Sequence, residues 1–241
     1  MALVVDRAPE ASPSDPDATP IEGPRRWARV LVGLAALTFV ASGLIQAWRD
    51  APTVDEGVDL AAGVSSWVHH DLRMSPEHPA WPKLVAAVPA LAGRPIVPEG
   101  ASWREGEWFG YTDDFLRAND EDGRLRRVLF LSRLVPLAEA VACGGLIFVL
   151  GRRLAGEDGG LLAAGLWFTT PVVLGLGHVQ SLDMTFALAT LLVALSLLRF
   201  RDHPTVARAA AVGATVGVAV LCRHTGLVLA GAGVGVGAWS G

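Results

Sequence analysis

Six long runs of apolar residues constrain the fold of this chain more than any other feature of its sequence. They cover residues 27–48, 128–150, 161–177, 182–200, 207–222 and 225–240. A helix needs about 20 apolar residues to cross a hydrocarbon core about 30 Å thick, and the runs are close to that length. The sequence therefore predicts an all-α, polytopic membrane protein with about six transmembrane helices.

Composition excludes several other classes of protein. The formal net charge of −4 gives no basis for binding nucleic acid. Cys143 and Cys222 both lie inside apolar runs, so we interpret them as small packed residues and not as a disulfide or a metal site. Residues 1–24 are rich in proline, aspartate, alanine and serine, a composition that predicts a disordered tail. Residues 25–241 then form the membrane domain.

The distribution of arginine predicts the orientation of the chain in the membrane. Arg25, Arg26 and Arg29 precede the first run, which favours a cytoplasmic amino terminus. Counting crossings from there places the loop 49–127, the connection 177–181 and the turn at residues 223–224 on the external face. We expect an integral, multi-pass protein, in a bacterial plasma membrane, with acids and bases gathered outside.

The external loop 49–127 contains no stretch long enough to span a membrane. Its best apolar run, residues 84–93, has the length of a helix that lies in the membrane interface. Four tryptophans are spread along the loop, as expected for anchoring at the level of the headgroups; they are Trp67, Trp81, Trp103 and Trp108.

Asp55 and Glu56 follow the first span closely, so both can hang just outside it. A carboxylate in that position could accept a proton from an incoming hydroxyl group. The alternative is a solvated pair at the start of a helix, where the macrodipole favours negative charge.

The segment from Glu77 to Lys83 combines an acid, an imidazole and an ammonium group within seven residues, EHPAWPK. His78 or Lys83 could bind a phosphate group here. The alternative is an interfacial loop whose lysine reaches toward lipid phosphate.

Ionisable residues near the later spans are further candidates. Asp183 at the start of the fourth span is either a functional acid or the N-cap of a helix. The guanidinium of Arg223, next to His224, could hold a lipid phosphate, unless the two form an ordinary turn. Arg133 lies near the external end of the second span and can snorkel, whereas the deeper Glu139 needs a partner or a water-filled cavity.

Several segments together resemble a known family. They are VDEG, EHPAWPKL, WFGYTDDFLRANDEDGRLRRVLFLSRL, LGRRLAG, TPVVLGLGHVQSLDM and VLCRHTGLVL, and they span about residues 27–240. They resemble the phospholipid-carrier-dependent glycosyltransferases of the GT-C fold, which include protein O-mannosyltransferases and the aminoarabinose transferases of lipid A. Members of the family generally continue through further spans, so the resemblance implies that this chain corresponds to an amino-terminal portion.

The resemblance implies an enzyme that takes a sugar from a polyprenyl-phosphate donor at the external face. Asp55 matches the family's general base, and Asp183 matches the acid at the start of the fourth span. Glu77 matches the acid of an E-x-P-P-like motif, whose second proline is Ala80 here, and His78 becomes a phosphate contact. Arg223 replaces the usual lysine of a K-x-T/S-G-like turn.

Two hypotheses about function follow. The first is a glycosyltransferase in which Asp55 and Asp183 are catalytic, and in which donor and acceptor are bound by Glu56, Glu77, His78, Lys83, Arg223 and His224. Its partners are the polyprenyl-phosphate sugar, membrane lipid and a glycan, lipid or protein acceptor. A divalent cation bridged by Asp55, Glu77 and Asp183 is an option, because oxygen ligands suit one. The second hypothesis is a transporter or a non-catalytic lipid-binding subunit.

Overall fold

The described part of the chain consists of helices and connections. The structure is a computed structural model that describes residues 23–231, with side chains from residue 26. No strand occurs within those residues. The helices are α1 (Gly23–Arg49), α2 (Val54–His69), α3 (Trp81–Leu91), α4 (Ala101–Glu105), α5 (Trp108–Glu121), α6 (Leu125–Thr169), α7 (Pro171–Leu176), α8 (Leu182–Asp202) and α9 (Val206–Cys222).

Three helices in this part of the chain are long and apolar enough to cross a membrane. They are Arg26–Arg49 within α1, the 45-residue α6 and the 21-residue α8. The apolar helix α9 is shorter, with 17 residues. These helices confirm the predicted class, a helical membrane protein.

Helix α6 contains both the second and the third predicted span. As a straight rod its 45 residues would be about 67 Å long, more than twice the hydrocarbon thickness. The backbone leaves the helical region at Ala155 and at Gly156, where φ is +72°. Trp167 Nε1 donates a hydrogen bond to the carbonyl oxygen of Ala140 at 2.9 Å. The two arms of α6, residues 125–154 and 157–169, therefore fold back on each other as an antiparallel hairpin.

The second arm ends earlier than the predicted span, which extended to residue 177. The helix stops at Thr169, and Thr170 is extended, with ψ of 125°. Pro171 follows, and a residue before proline is sterically disfavoured in the helical region. The chain then resumes as the short helix α7.

The loop 49–127 folds into α2–α5 and forms a core of its own. Leu60 and Val64 of α2 pack there with Tyr111 and Phe115 of α5 and with Val128 of α6. The apolar run expected in the interface becomes α3, which is held between α2 and α6, with three of its alanines buried.

Gly63 allows α2 and α3 to approach closely. A Cβ atom at this position would lie 2.3 Å from the carbonyl oxygen of Lys83. Because Lys83 occupies the third position of α3, this contact fixes the two helices beside the site described below.

Arg133 joins the apolar helices α1 and α6 to helix α2. Its Nε and Nη2 donate to the two carboxylate oxygens of Glu56 at 2.8 and 2.7 Å. The remaining donors reach the carbonyl oxygens of Ala47, Asp50 and Ala51 at the end of α1. Its side chain is 1% exposed, so the expectation that Arg133 snorkels to the surface is wrong. A guanidinium has five N–H groups, and all five find partners here.

Two sequence predictions fall largely outside the described residues. The tail 1–24 does so except for Gly23 and Pro24, which begin α1. The sixth apolar run, 225–240, is described only to residue 231, where residues 227–231 are helical.

Candidate active site

A small pocket lies where the ends of several helices meet. Its volume is about 140 Å³. It is lined by α2, by the connection between α2 and α3, by the start of α5, by the start of α8 and by the end of α9. The lining residues are Asp55, Val58, Asp59, Glu77, His78, Trp108, Phe109, Leu182, Asp183 and Arg223. Acids from three remote segments, and two basic residues, are therefore brought together.

The first turn of α2 presents Asp55 to this pocket. Thr53 is the N-cap, and its hydroxyl accepts from the backbone N–H of Glu56, while the Glu56 carboxylate accepts from the backbone N–H of Thr53. This reciprocal capping box fixes where the helix begins. Asp55 is exposed and makes no hydrogen bond or ion pair with the described residues, so its carboxylate is available to a ligand.

Asp59 lies one helical turn after Asp55 on the same face of α2. It is only 6% exposed, and its Oδ1 is 3.8 Å from Lys83 Nζ. Burial raises the pKa of Asp59 to about 6 against the lowering effect of Lys83, and the negative charges of Asp55, Glu77 and Asp183 contribute to this rise. The pocket thus contains a carboxyl group that titrates near neutral pH.

Lys83 organises the connection that carries Glu77 and His78. Its Nζ donates to the carbonyl oxygen and hydroxyl of Ser75, at 2.6 and 2.8 Å, and to the carbonyl oxygen of His78 at 3.4 Å. Burial lowers the pKa of Lys83, an effect that Asp59 and Glu77 oppose. The ammonium group therefore holds the connection from beneath, while Glu77 and His78 face the pocket.

Asp183 and Arg223 form an ion pair on the other side of the pocket. Ser181 is the N-cap of α8, because its hydroxyl accepts from the backbone N–H of Asp183. The interpretation of Asp183 as the N-cap is therefore wrong. Arg223 is the C-cap of α9, and its guanidinium reaches across to the Asp183 carboxylate. Both side chains remain substantially exposed, so the pair is accessible from the pocket.

Three residues predicted to bind substrate do not line this pocket. Glu56 is fully buried, and besides Arg133 it accepts from the backbone N–H of Gln180 at 3.1 Å. Lys83 is also buried, and its Nζ donates to Ser75 and to the carbonyl oxygen of His78. His224 is exposed at the start of a short 3₁₀ turn. The structure gives Glu56 and Lys83 positions in which they support neighbouring segments.

His178, five residues before Asp183 in the chain, does not line the pocket. It is buried, with Nε2 3.2 Å from Asp50 Oδ2. Burial and the nearby Arg133 lower its pKa. Glu139, the deeper acid of α6, accepts a hydrogen bond from the Thr185 hydroxyl at 2.9 Å.

Sequence reasoning missed Asp59, Trp108 and Phe109 as pocket residues. The spacing of four between Asp55 and Asp59 was a usable signal, because residues four apart share a helix face. The indole of Trp108 and the ring of Phe109 are stacked, with centroids 4.0 Å apart. No spacing links α5 to α2, so only tertiary structure brings these aromatic residues to the pocket.

The acids do not form a recognisable metal site. Among the described residues, no group of three or more histidine, cysteine, aspartate or glutamate side chains is arranged to hold a metal ion. The cation bridged by Asp55, Glu77 and Asp183 remains a prediction.

Comparison with known proteins supports one family. Residues 127–240, slightly less than half of the chain, match the family model described as dolichyl-phosphate-mannose-protein mannosyltransferase. The match supports a relationship with this family of membrane glycosyltransferases and does not select a member of it. It includes Asp183 and Arg223, whereas Asp55 and Glu77 precede it. No curated protein and no solved structure matches the chain.

Proposed function

We propose that residues 25–241 form the transmembrane domain of a membrane glycosyltransferase. It moves a sugar from a polyprenyl-phosphate donor to an acceptor hydroxyl. One observation carries the proposal: Asp55, Glu77, His78, Asp183 and Arg223, from remote segments, line one pocket at one end of the apolar helices. The family match supports the use of a lipid-phosphate sugar.

Asp55 acts as the general base. It takes the proton of the acceptor hydroxyl as that oxygen forms a bond to the anomeric carbon. The bond from the anomeric carbon to the phosphate oxygen breaks at the same time, and its electron pair leaves with the phosphate. The exposed carboxylate of Asp55, which has no partner among the described side chains, suits this role.

Arg223 stabilises the charge that develops on the departing phosphate. A guanidinium offers paired donors that match phosphate oxygens. Asp183 holds that guanidinium in place, so it serves the reaction by orienting Arg223. His78 lies in the same pocket, where an imidazole N–H donates to the phosphate, and Glu77 contacts sugar hydroxyl groups.

The pocket faces the external side of the membrane in this proposal. The ends of α1, α8 and α9 that bear Arg49, Asp183 and Arg223 lie at the pocket end of the helices. At the other end lie ion pairs that join Arg29 to Glu157 and Arg153 to Asp202. This second end also carries Arg152, Arg199 and Arg201, and the positive-inside rule assigns it to the cytoplasm.

The test is sugar transfer from radiolabelled polyprenyl-phosphate mannose in membranes that contain the protein. We expect Asp55→Asn to lower transfer by about 100-fold or more, the usual contribution of a positioned base. Asp202→Asn, at the opposite end, is the control and leaves transfer within about twofold. Wild-type protein that retained the donor lipid without transferring sugar would instead indicate a lipid-binding subunit.

A further inference from the structure

A second cavity lies next to the pocket that contains Asp55. Its volume is about 250 Å³, and it opens between the start of α2 and helix α5. Val58 and Phe109 line both spaces, so they form the wall between them. Thr53 and Val54, which directly precede Asp55 in the chain, line the second cavity. A ligand in this cavity would therefore lie beside the catalytic carboxylate of the proposed function.

The charges of the two spaces differ. Arg223 gives the first pocket a guanidinium beside its four carboxyl groups, and His78 adds an imidazole. The residues that line the second cavity include no basic side chain, and their one ionisable group is the exposed Asp113. A phosphate group placed there would meet a carboxylate and no compensating cation. Of the two spaces, only the first offers a phosphate group a guanidinium, so the donor phosphate belongs there.

The walls of the second cavity are mainly apolar. Val54, Val58, Phe109 and Leu116 contribute hydrocarbon surface. The hydroxyl of Thr112 has no proton left to donate to a ligand, because it donates to the carbonyl oxygen of Trp108 at 2.8 Å. The Thr53 hydroxyl accepts a hydrogen bond from the backbone N–H of Glu56. The surface thus fits a ligand that is uncharged or cationic and that has an apolar portion to bury.

We propose that this second cavity is the acceptor subsite. It takes an uncharged, hydroxyl-bearing acceptor whose apolar portion packs on Val54 and Phe109, and it aims the hydroxyl at Asp55. Phe109 is 54% exposed, stacks on Trp108 and lines both spaces. This inference rests on the proposed function and adds to it the place and the chemical character of the acceptor.

The first experiment fills the cavity and separates acceptor binding from donor binding. Val54→Trp adds bulk at a residue that is 76% exposed, so the fold can accommodate the change. Val206→Trp is a closely matched control, because Val206 is 88% exposed and also follows a threonine N-cap, at the start of α9. Membranes from cells that naturally contain the protein, with the chromosomal copy deleted, supply the native acceptors.

Two quantities are measured with radiolabelled polyprenyl-phosphate mannose. They are the sugar incorporated into membrane acceptors and the donor lipid retained by the purified protein. We expect Val54→Trp to lower incorporation at least tenfold while donor retention stays within twofold, and Val206→Trp to change neither. An equal loss of donor retention would overturn the inference, because the cavity would then belong to the donor. Unchanged incorporation would also overturn it.

Chemical modification of a cysteine variant after folding separates a filled cavity from a misfolded protein. Val54→Cys is modified after folding with a bulky thiol reagent, and Cys143 and Cys222 are buried, so the new thiol is the reactive one among the described residues. We expect modification to lower incorporation and to spare donor retention. A modified protein with full incorporation would contradict the proposal.

Competition tests the apolar character of the acceptor. Hexyl glucoside should inhibit incorporation at a concentration at least tenfold lower than methyl glucoside does, because only the hexyl chain reaches the apolar walls. Equal inhibition by the two would overturn the inference while leaving the proposed function intact. Wild-type protein that neither retains donor nor incorporates sugar would overturn the proposed function itself, a result distinct from those above.

Discussion

Two carboxylate–guanidinium pairs in this protein have opposite surroundings. In the pair of Glu56 with Arg133 the side chains are 0% and 1% exposed, and every guanidinium donor has a partner. In the pair of Asp183 with Arg223 they are 70% and 39% exposed and line the pocket. The first pair joins α1, α2 and α6, whereas the second leaves a cation available to a ligand.

The difference shows that burial decides what a pair of charges can do. A buried charge is expensive to leave unpaired, so Glu56 and Arg133 are committed to each other. An exposed pair is worth about 0–1 kcal/mol, so Arg223 is not committed to Asp183 alone and can offer its other donors to a phosphate while Asp183 orients it.

Removing the buried cation should have the largest effect. We expect Arg133→Gln to lower the free energy of unfolding by about 3–5 kcal/mol, because Glu56 is left as an uncompensated buried charge. The measurement is thermal or denaturant unfolding of purified protein in detergent. A loss below about 1 kcal/mol would contradict the structural role of the pair.

Removing the exposed cation should affect activity instead. We expect Arg223→Ala to lower transfer from the lipid-phosphate sugar by about 10–100-fold, the size of a lost charged hydrogen bond of 1.5–3 kcal/mol. Arg223→Lys keeps the positive charge but loses the paired donors, so its activity should lie between that of the wild type and that of Arg223→Ala. Kinetic assays at saturating acceptor measure this order of activities. An Arg223→Lys variant that retained the donor fully but transferred no sugar would argue that residue 223 does more than bind the phosphate.

The pH dependence of donor binding tests Asp59. Its pKa is raised to about 6, so it loses its negative charge as the pH falls from about 7 to 5. Donor retention should then rise severalfold over that range, because the pocket becomes less repulsive to phosphate. Asp59→Asn should flatten the curve. A curve unchanged by this substitution would show that another group is responsible.

The same group affects stability in a defined direction. Because the pKa of Asp59 is higher in the folded protein than its ordinary value of 3.8, the folded state holds this proton more tightly. The contribution of Asp59 to stability is therefore most favourable below about pH 4 and decreases as the pH rises through 6. Unfolding midpoints of wild type and Asp59→Asn across this range measure it.

The smallest effect is expected for the stability contribution of the exposed pair. Asp183→Asn should change the free energy of unfolding by less than about 1 kcal/mol, since both side chains remain solvated. The unfolding measurement used for Arg133→Gln provides the direct contrast. A loss as large as that of Arg133→Gln would end the distinction between the two pairs.

The helical class could be predicted from the sequence, because long apolar runs have few other stable forms. The end of the helix in the third run was missed because hydropathy continues through Thr170 and Pro171, although Pro171 is itself a sequence signal that the helix stops before it. The burial of Arg133 could not be predicted, because it depends on a partner from a distant part of the chain. Its position near a helix end is compatible with snorkelling, and its burial depends on Glu56, which lies 77 residues earlier.

The candidate site could be predicted in part. Asp55, Glu77, His78, Asp183 and Arg223 were selected from local patterns and resemblance, and they line one pocket. Glu56 was assigned to substrate, although the pattern T-V-D-E is a capping-box signature that places its side chain back on the helix start. The aromatic residues of α5 could not be found, because their contact with α2 is purely tertiary.

The adjacent acids Asp55 and Glu56 have different roles, because the Asp55 carboxylate serves the pocket and the Glu56 carboxylate serves the fold. Comparing variants of the two tests this difference directly. Sugar transfer and thermal stability are measured on Asp55→Asn and Glu56→Gln side by side. We predict that Asp55→Asn loses about 100-fold or more of its transfer activity with unchanged stability, and that Glu56→Gln is clearly destabilised. Normal transfer by Asp55→Asn, or normal stability of Glu56→Gln, would contradict the account.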